Sequence, residues 1–176
     1  MQAFIDFFQM VIISNSGITN MPGKRKRPTP RLAGNLNPQK IDSLATTAER
    51  NVDPRICGLL DAVRRGWYQL ETGELFIGFK VTSDDIVLDV GCGEGNAILF
   101  CAKQGAHVVF SDVDATKIKA LTQKANESQA RKVEGFVSDT MPLPLPDEYA
   151  TKILSTEMLE HTSKPEMVLA ELVRVG

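Results

Sequence analysis

The sequence predicts an α/β domain built on a doubly wound parallel sheet, and three observations carry that prediction. Strand-like apolar runs alternate with helix-like stretches from residue 86 to the end of the chain. The first run, Ile86-Val87-Leu88-Asp89-Val90, is almost continuously apolar, as a strand covered on both faces requires. It leads directly into Gly91-Cys92-Gly93-Glu94-Gly95, a strand-to-helix junction of the kind that parallel sheets use to meet a ligand.

Each element has its own signal. Asp53 offers a helix cap and Pro54 a first helical residue, and Ile56, Leu59, Leu60, Val63 and Trp67 then recur at helical spacing, which predicts a helix of about four turns. Glu71-Thr72-Gly73 reads as a turn, and the apolar 75–79 and polar 82–85 stretches lead into the strand at Ile86. Residues 96–104 predict a helix ended by Gly105, and 107–111 a second strand. A helix opened by Asp114 follows over 114–128, and a third strand over 133–138. After the Pro-Leu-Pro-Leu-Pro run at 142–146 comes a fourth strand, 152–156. Ser163-Lys164-Pro165-Glu166 reads as a capping box that opens a last helix toward Val173.

The first 50 residues are a different kind of chain. They hold 7 basic and 3 acidic side chains, whereas residues 51–176 hold 13 and 19. Residues 1–13, MQAFIDFFQMVII, are apolar but lack a leading positive charge and a cleavage site, and they are too short to span a bilayer. They read as a poorly ordered or weakly amphipathic leader, with an interfacial or partner-binding helix as the alternative. Residues 21–50 carry four prolines, two glycines and the basic run Lys24–Arg27, the composition of a linker. The expected organisation is a flexible leader and basic linker over 1–50 and a ligand-binding domain over 51–176.

The whole chain carries 20 basic and 22 acidic side chains, a formal charge of -2. No global field holds such a molecule on nucleic acid or an anionic membrane, and no integral membrane segment is expected. Cys57, Cys92 and Cys101 contain no C-x-x-C pair, so they form neither a zinc signature nor an even disulfide framework. A reducing, cytoplasmic setting and no metal are the expectation.

The chemistry concentrates at the glycine junction. Gly91, Gly93 and Gly95 let the chain turn and bring backbone against a ligand where a Cβ would intrude. Asp112 ends the next strand 21 residues after Gly91, where a carboxylate accepts hydrogen bonds from ribose hydroxyls. A nicotinamide fingerprint needs a third glycine at position 96, which is Asn96 here. Asp89, two residues before Gly91, sets a negative charge where a pyrophosphate would be repelled. Asp112 has a second reading as a helix cap, although Asp114 fits that role better.

The string Val87–Ala97, VLDVGCGEGNA, together with HVVFSDVDATKI and EGFVSDTMPLPLPDEYATKILSTEMLEH, resembles the class I S-adenosylmethionine-dependent methyltransferases over residues 80–176. The nearest flavour is the small-molecule group that includes ubiquinone and menaquinone biosynthesis methyltransferases. The resemblance implies a Rossmann-like sheet with strands in the order 3-2-1-4 and S-adenosyl-L-methionine as cofactor. It implies cofactor contacts from Asp89, Gly91, Cys92, Gly93, Gly95, Asp112, Val113, Asp139, Thr140 and Ser155. In these terms Asp112 meets the ribose, Ser138, Asp139 and Thr140 edge the adenine, and residues 155–161 border the methionine end. No catalytic base follows from it, and His161 is the candidate, with a helix-entry role as its alternative. Trp67 and Tyr68 stand as lid or packing residues, and the three cysteines as small core residues.

Two departures from the family stand out. Tyr149-Ala150 replaces the usual Phe-Asp before the fourth strand. The family's sheet has seven strands, and here the C-terminal ones are absent, which leaves the fourth strand as an apolar edge suited to self-association. The expected activity is methyl transfer to a small-molecule or lipid-like acceptor. The alternative is a non-catalytic cofactor-binding or interaction module.

Overall fold

The structure, a computed structural model, describes residues 10–14, 54–138, 142–156 and 158–176. Its elements are β1 (Met10–Ser14), α1 (Pro54–Arg64), β2 (Ile86–Val90), α2 (Asn96–Lys103), β3 (His107–Asp112), α3 (Ala115–Asn126), β4 (Lys132–Val137), β5 (Lys152–Thr156) and α4 (Pro165–Val175), with a single 3₁₀ turn at Leu159–His161. The chain divides into a sheet unit, residues 1–22 and 82–176, and a smaller unit, residues 23–81.

The sheet runs β1-β5-β2-β3-β4, and the β2–β3, β3–β4 and β2–β5 pairs are parallel. Numbered from β2, the parallel strands stand in the expected 3-2-1-4 order. β2 is central because its side chains are apolar on both faces. Leu88 and Val90 pack with Val109, Ile153 and the Val168, Leu172 and Val175 side chains of α4. Val87 and Asp89 alternate to the opposite face. On β4, Gly135 leaves room there for Phe110 and for Thr122 of α3, both within 2.7 Å of where a Cβ would stand. Helices on both faces and a reversal of strand order between β2 and β5 create a crevice at the carboxyl ends of the strands.

Polar groups close the opposite end. Asp85 at the foot of β2 pairs with Lys152 and accepts from the Thr82 hydroxyl and amide (3.0 and 2.8 Å) and from Thr151 (3.1 Å). Burial pushes its carboxyl up, but those partners together hold it below the usual range. Glu134 Oε1 accepts from Lys132 (2.9 Å), from the Tyr149 hydroxyl (2.7 Å) and bonds His107 Nε2 (2.6 Å). Tyr149, one of the two departures from the family pattern, thus anchors the strand ends, while Ala150 is core.

The smaller unit folds on aromatic contacts. The ring centroids of Trp67 and Phe76 lie 5.0 Å apart, and those of Phe76 and Phe79 4.9 Å. Trp67 and Tyr68 therefore belong to local packing, with ring centroids 5.9 Å apart.

Three expectations change. The first helix ends at Arg64, short of Trp67, because Gly66 takes φ +89 and the Trp67 amide turns back to the Ala62 carbonyl. The capping box at Ser163 does not form: Lys164 is the N-cap without a side-chain bond, Pro165 has no amide to cap, and the Lys164 amide donates to Thr162 Oγ1 (3.2 Å). The β5 edge is not open, since Met10–Ser14, assigned by sequence to a leader, pairs with it antiparallel from Met10↔Thr156 to Ser14↔Lys152. A β-branched run beside a row of unpaired amides and carbonyls explains the pairing. The remaining leader and linker, the Lys24–Arg27 run and the Asp53 cap lie outside the described residues.

Deleting residues 1–14 should expose the β5 edge and produce concentration-dependent association by size-exclusion chromatography with light scattering, whereas a strictly monomeric deletion would show that the edge needs no cover. The three donors on Glu134, led by Lys132, hold its carboxyl down at about 2, against an ordinary 4.5. Its stabilising contribution is therefore complete above pH 4.5 and is lost as pH falls from there toward 2. Glu134→Gln should make the loss of denaturant midpoint between pH 5 and pH 3 shallower, and an unchanged acid slope would remove Glu134 from the account.

Candidate functional site

The junction after β2 is fixed by backbone bonds to β3. The Gly91 and Cys92 amides both donate to the Ser111 carbonyl (2.9 and 3.0 Å), and the Gly95 amide closes the turn on the Cys92 carbonyl (2.8 Å). The Gly93 amide donates to Asp112 Oδ2 (2.9 Å), and Asp112 Oδ1 accepts from the Asp114 amide (3.0 Å). Asp114 caps α3, accepting from the Thr116 and Lys117 amides (2.8 and 3.3 Å), so Asp112 is free of that duty.

Asp89 sits under this loop, 2% exposed, and its Oδ1 has no hydrogen-bond partner among the described residues. Burial, reinforced by the charge of Asp112, pushes its carboxyl up to about 7. Ser111, fully buried at the end of β3, likewise has a hydroxyl without a partner among the described residues. Sequence reasoning did not select Ser111, because a serine ending a strand carries no motif signal. Cys92 is buried with its thiol pushed up to about 12 by burial and by the charges of Asp89 and Asp112, so it remains a protonated, small loop residue.

The glycines differ in what surrounds them. A Cβ on Gly91 would meet Met158 Cγ at 2.8 Å, and one on Gly95 would meet Leu121 Cδ1 of α3 at 2.3 Å. Nothing lies within 4 Å of the same point on Gly93. Gly95 is thus held by packing, and Gly93 borders open space.

Beyond the ends of β3 and β4 lies a cleft of about 440 Å³ lined by Val113, Val137, Ser138, Pro142 and Pro144. Val113 and Val137 are 71% and 56% exposed and give the cleft apolar surface. Of the candidate residues, Val113 lines this cleft, while Asp89, Gly91, Cys92, Gly93, Gly95 and Asp112 lie at the carboxyl ends of β2 and β3 and in the loop after β2. Ser155 does not open onto it: fully buried, it donates its hydroxyl to the Val90 carbonyl (3.3 Å) and ties β5 to β2. His161 is exposed on the 3₁₀ turn, its amide bonded to the Met158 carbonyl (3.0 Å). Asp139 and Thr140 lie outside the described residues.

Gly93→Ala and Gly95→Ala separate the two kinds of glycine. Both force a Cβ into a left-handed conformation, φ +53 and +74, at a cost of about 1–2 kcal/mol. Gly95→Ala should lose about 1–3 kcal/mol more through overpacking on Leu121. Equal losses in denaturant unfolding would show that the loop does not close on α3 as described.

Known proteins resemble this chain. A ubiquinone biosynthesis O-methyltransferase from Aeromonas salmonicida is 33% identical over 126 residues, covering 66% of this chain and 48% of the relative. The enzyme of the same name from Leptothrix cholodnii is 27% identical, covering 81% and 61%. The methyltransferase GfsG from Streptomyces halstedii is also 27% identical, covering 79% and 44%. The chain thus spans about half the length of the curated relatives it matches. Residues 88–176, just over half of the chain and running from within β2 to α4, match the family described as a methyltransferase domain, and the chain belongs to that family.

Proposed function

We propose that the chain binds S-adenosyl-L-methionine across the carboxyl ends of β2, β3 and β4 and serves methyl transfer to a small-molecule or lipid-like acceptor. The buried Oδ1 of Asp89, without a hydrogen-bond partner among the described residues, carries this reading. A buried polar atom without a partner is costly, and a carboxylate in that position favours a cationic group. With Asp112 nearby, a phosphate would add a third negative charge to a poorly screened site, whereas an ammonium or sulfonium ligand balances the two.

Each residue then has work to do. Asp89 takes the ammonium end of the ligand. Asp112 holds the loop through Gly93 and Asp114 and keeps lone pairs on the same oxygens for ribose hydroxyls. Val113, Val137, Pro142 and Pro144 offer the base apolar walls and exclude water. Asp139 and Thr140, which follow Ser138 in the chain, are assigned to the adenine edge on the family resemblance. The cofactor, when bound, supplies a methyl group already activated on a cationic sulfur. The remaining requirement is alignment of the acceptor, so no base is assigned and exposed His161 stands as the candidate. The names of the two ubiquinone biosynthesis relatives support an acceptor of the small or lipid-like class. Among the described residues no helix is long and apolar enough to cross a membrane, and the buried free thiols of Cys92 and Cys101 suit a reducing cytoplasm.

Isothermal titration with S-adenosylmethionine and S-adenosylhomocysteine tests the reading. Asp112→Ala should weaken binding by about 1–3 kcal/mol, and an unchanged affinity would remove the ribose assignment. Asp89 must lose its proton to meet the ligand's ammonium group, so affinity should rise as pH climbs through about 7. Asp89→Asn should bind more weakly and abolish that pH dependence, and a variant that keeps the slope would assign it to another group.

A further inference from the structure

Two serines end strands in the middle of the sheet, and they differ in what they bond. Ser155 is fully buried and donates its hydroxyl to the Val90 carbonyl (3.3 Å). Ser111 is equally buried, yet its Oγ has no hydrogen-bond partner among the described residues. Its neighbours in the sheet supply none: it stands in register with Val90 on β2 and with Phe136 on β4, and neither side chain has a polar atom. A buried hydroxyl without a partner is destabilising, and an alanine on the same backbone would avoid that cost. Among the described residues two buried side-chain atoms are in this position, Asp89 Oδ1 and Ser111 Oγ. They belong to the carboxyl ends of adjacent strands, one residue step apart along the β2–β3 ladder, where Phe110 stands opposite Asp89 and Ser111 opposite Val90.

The two groups are complementary in chemistry. Asp89, once ionised, offers acceptors and a negative charge, whereas Ser111 offers a hydroxyl hydrogen. Other donors of the loop after β2 are already committed. The Gly91 and Cys92 amides donate to the Ser111 carbonyl, the Gly93 amide to Asp112 and the Gly95 amide to the Cys92 carbonyl. Because Ser111 is in register with Val90 and not with Asp89, the two side chains leave the sheet on opposite faces of the β2 end. An amino acid group carries an ammonium and a carboxylate on one carbon, so across that end it presents one to each face. With Asp89 and Asp112 both acidic, such a carboxylate is repelled unless a donor meets it.

We propose that Ser111 is a binding residue for the cofactor's carboxylate, its hydroxyl donating to that group while Asp89 holds the ammonium on the same carbon. Both side chains are dry beneath the loop, so the contact forms as residues 91–95 shift on binding. The inference rests on the proposed function and deepens it, from the charge of the ligand to the recognition of its amino acid end.

The test titrates S-adenosylhomocysteine and its decarboxylated analogue, which keeps the amine and lacks the carboxylate, into the unchanged chain, Ser111→Ala and Ser111→Cys. Denaturant midpoints are measured alongside. The unchanged chain should prefer S-adenosylhomocysteine. Ser111→Ala should bind it about tenfold more weakly, bind the analogue as before, and keep or raise the midpoint, because the change removes a hydroxyl that no described partner uses. Ser111→Cys keeps the volume with a weaker donor and should show part of the same selective loss. An unchanged affinity for S-adenosylhomocysteine in Ser111→Ala overturns the inference, and so does a loss shared equally by both ligands. A midpoint that falls in both variants, or a failure of both to fold, assigns the hydroxyl to the fold and overturns it too. An unchanged chain that binds both ligands equally overturns the inference and leaves the proposed function standing. An unchanged chain that binds neither overturns the proposed function, and this inference with it.

Discussion

The hydrogen bond from the Gly93 amide to the Asp112 carboxylate joins the two halves of the site, and most of the local geometry depends on it. It crosses from the loop after β2 to the end of β3 at the point where the chain would otherwise drift into solvent. The same carboxylate also receives the Asp114 amide, which starts α3 in the right direction, and the Asp112 carbonyl accepts the Ser138 amide (3.2 Å), which aligns the end of β4. One residue, through its carboxylate and its carbonyl, thus ties loop, helix and neighbouring strand together. Glycine suits the other side of this bond because Gly93 holds φ +53, a left-handed conformation that costs a side chain about 1–2 kcal/mol even where space is open.

The burial of Asp89 follows from this arrangement. β2 lies inside the sheet with apolar neighbours on both sides, so a carboxylate at its carboxyl end is dry unless the loop above opens. A buried acid built this way carries an electrostatic cost, which the cationic ligand proposed above would offset. Preorganisation of this kind places stability and affinity in opposition at one residue.

Much of this was legible in the chain itself. The continuous apolar run 86–90, the glycine spacing and the acid at 112 are local signals, and each specifies a backbone geometry that neighbours need not supply. The caps were legible in part: Asp114 works as its type suggests, whereas Ser163 does not, because Thr162 and Pro165 already settle that turn. Ser155 shows a different limit. Its motif position suggested the ligand, yet its hydroxyl serves the β5–β2 contact, a partner 65 residues away that no local pattern encodes. Ser111 carries no motif signal either, and its carbonyl receives the Gly91 and Cys92 amides only once β2 and β3 lie side by side. The strand at Met10–Ser14 is the clearest case. Five residues, three of them β-branched, read as part of a leader or an interfacial helix until the vacant edge of β5 decides the matter.

That strand also sets an order of events. β1 is synthesised first, but its partner in the sheet lies 138 residues further on, at the Ser14↔Lys152 end of the pairing. At ordinary rates of synthesis the ribosome needs roughly 7–28 s to make the intervening chain. Throughout that interval MVIIS has an unpaired backbone and an aggregation-prone composition, and its native partner is not yet available. The parallel core of β2, β3 and β4 emerges complete before β5 does, so the sheet grows outward from its middle and its first-made strand is the last to dock. The interval during which this segment lacks its native partner is therefore set by the topology rather than by the chemistry of the site.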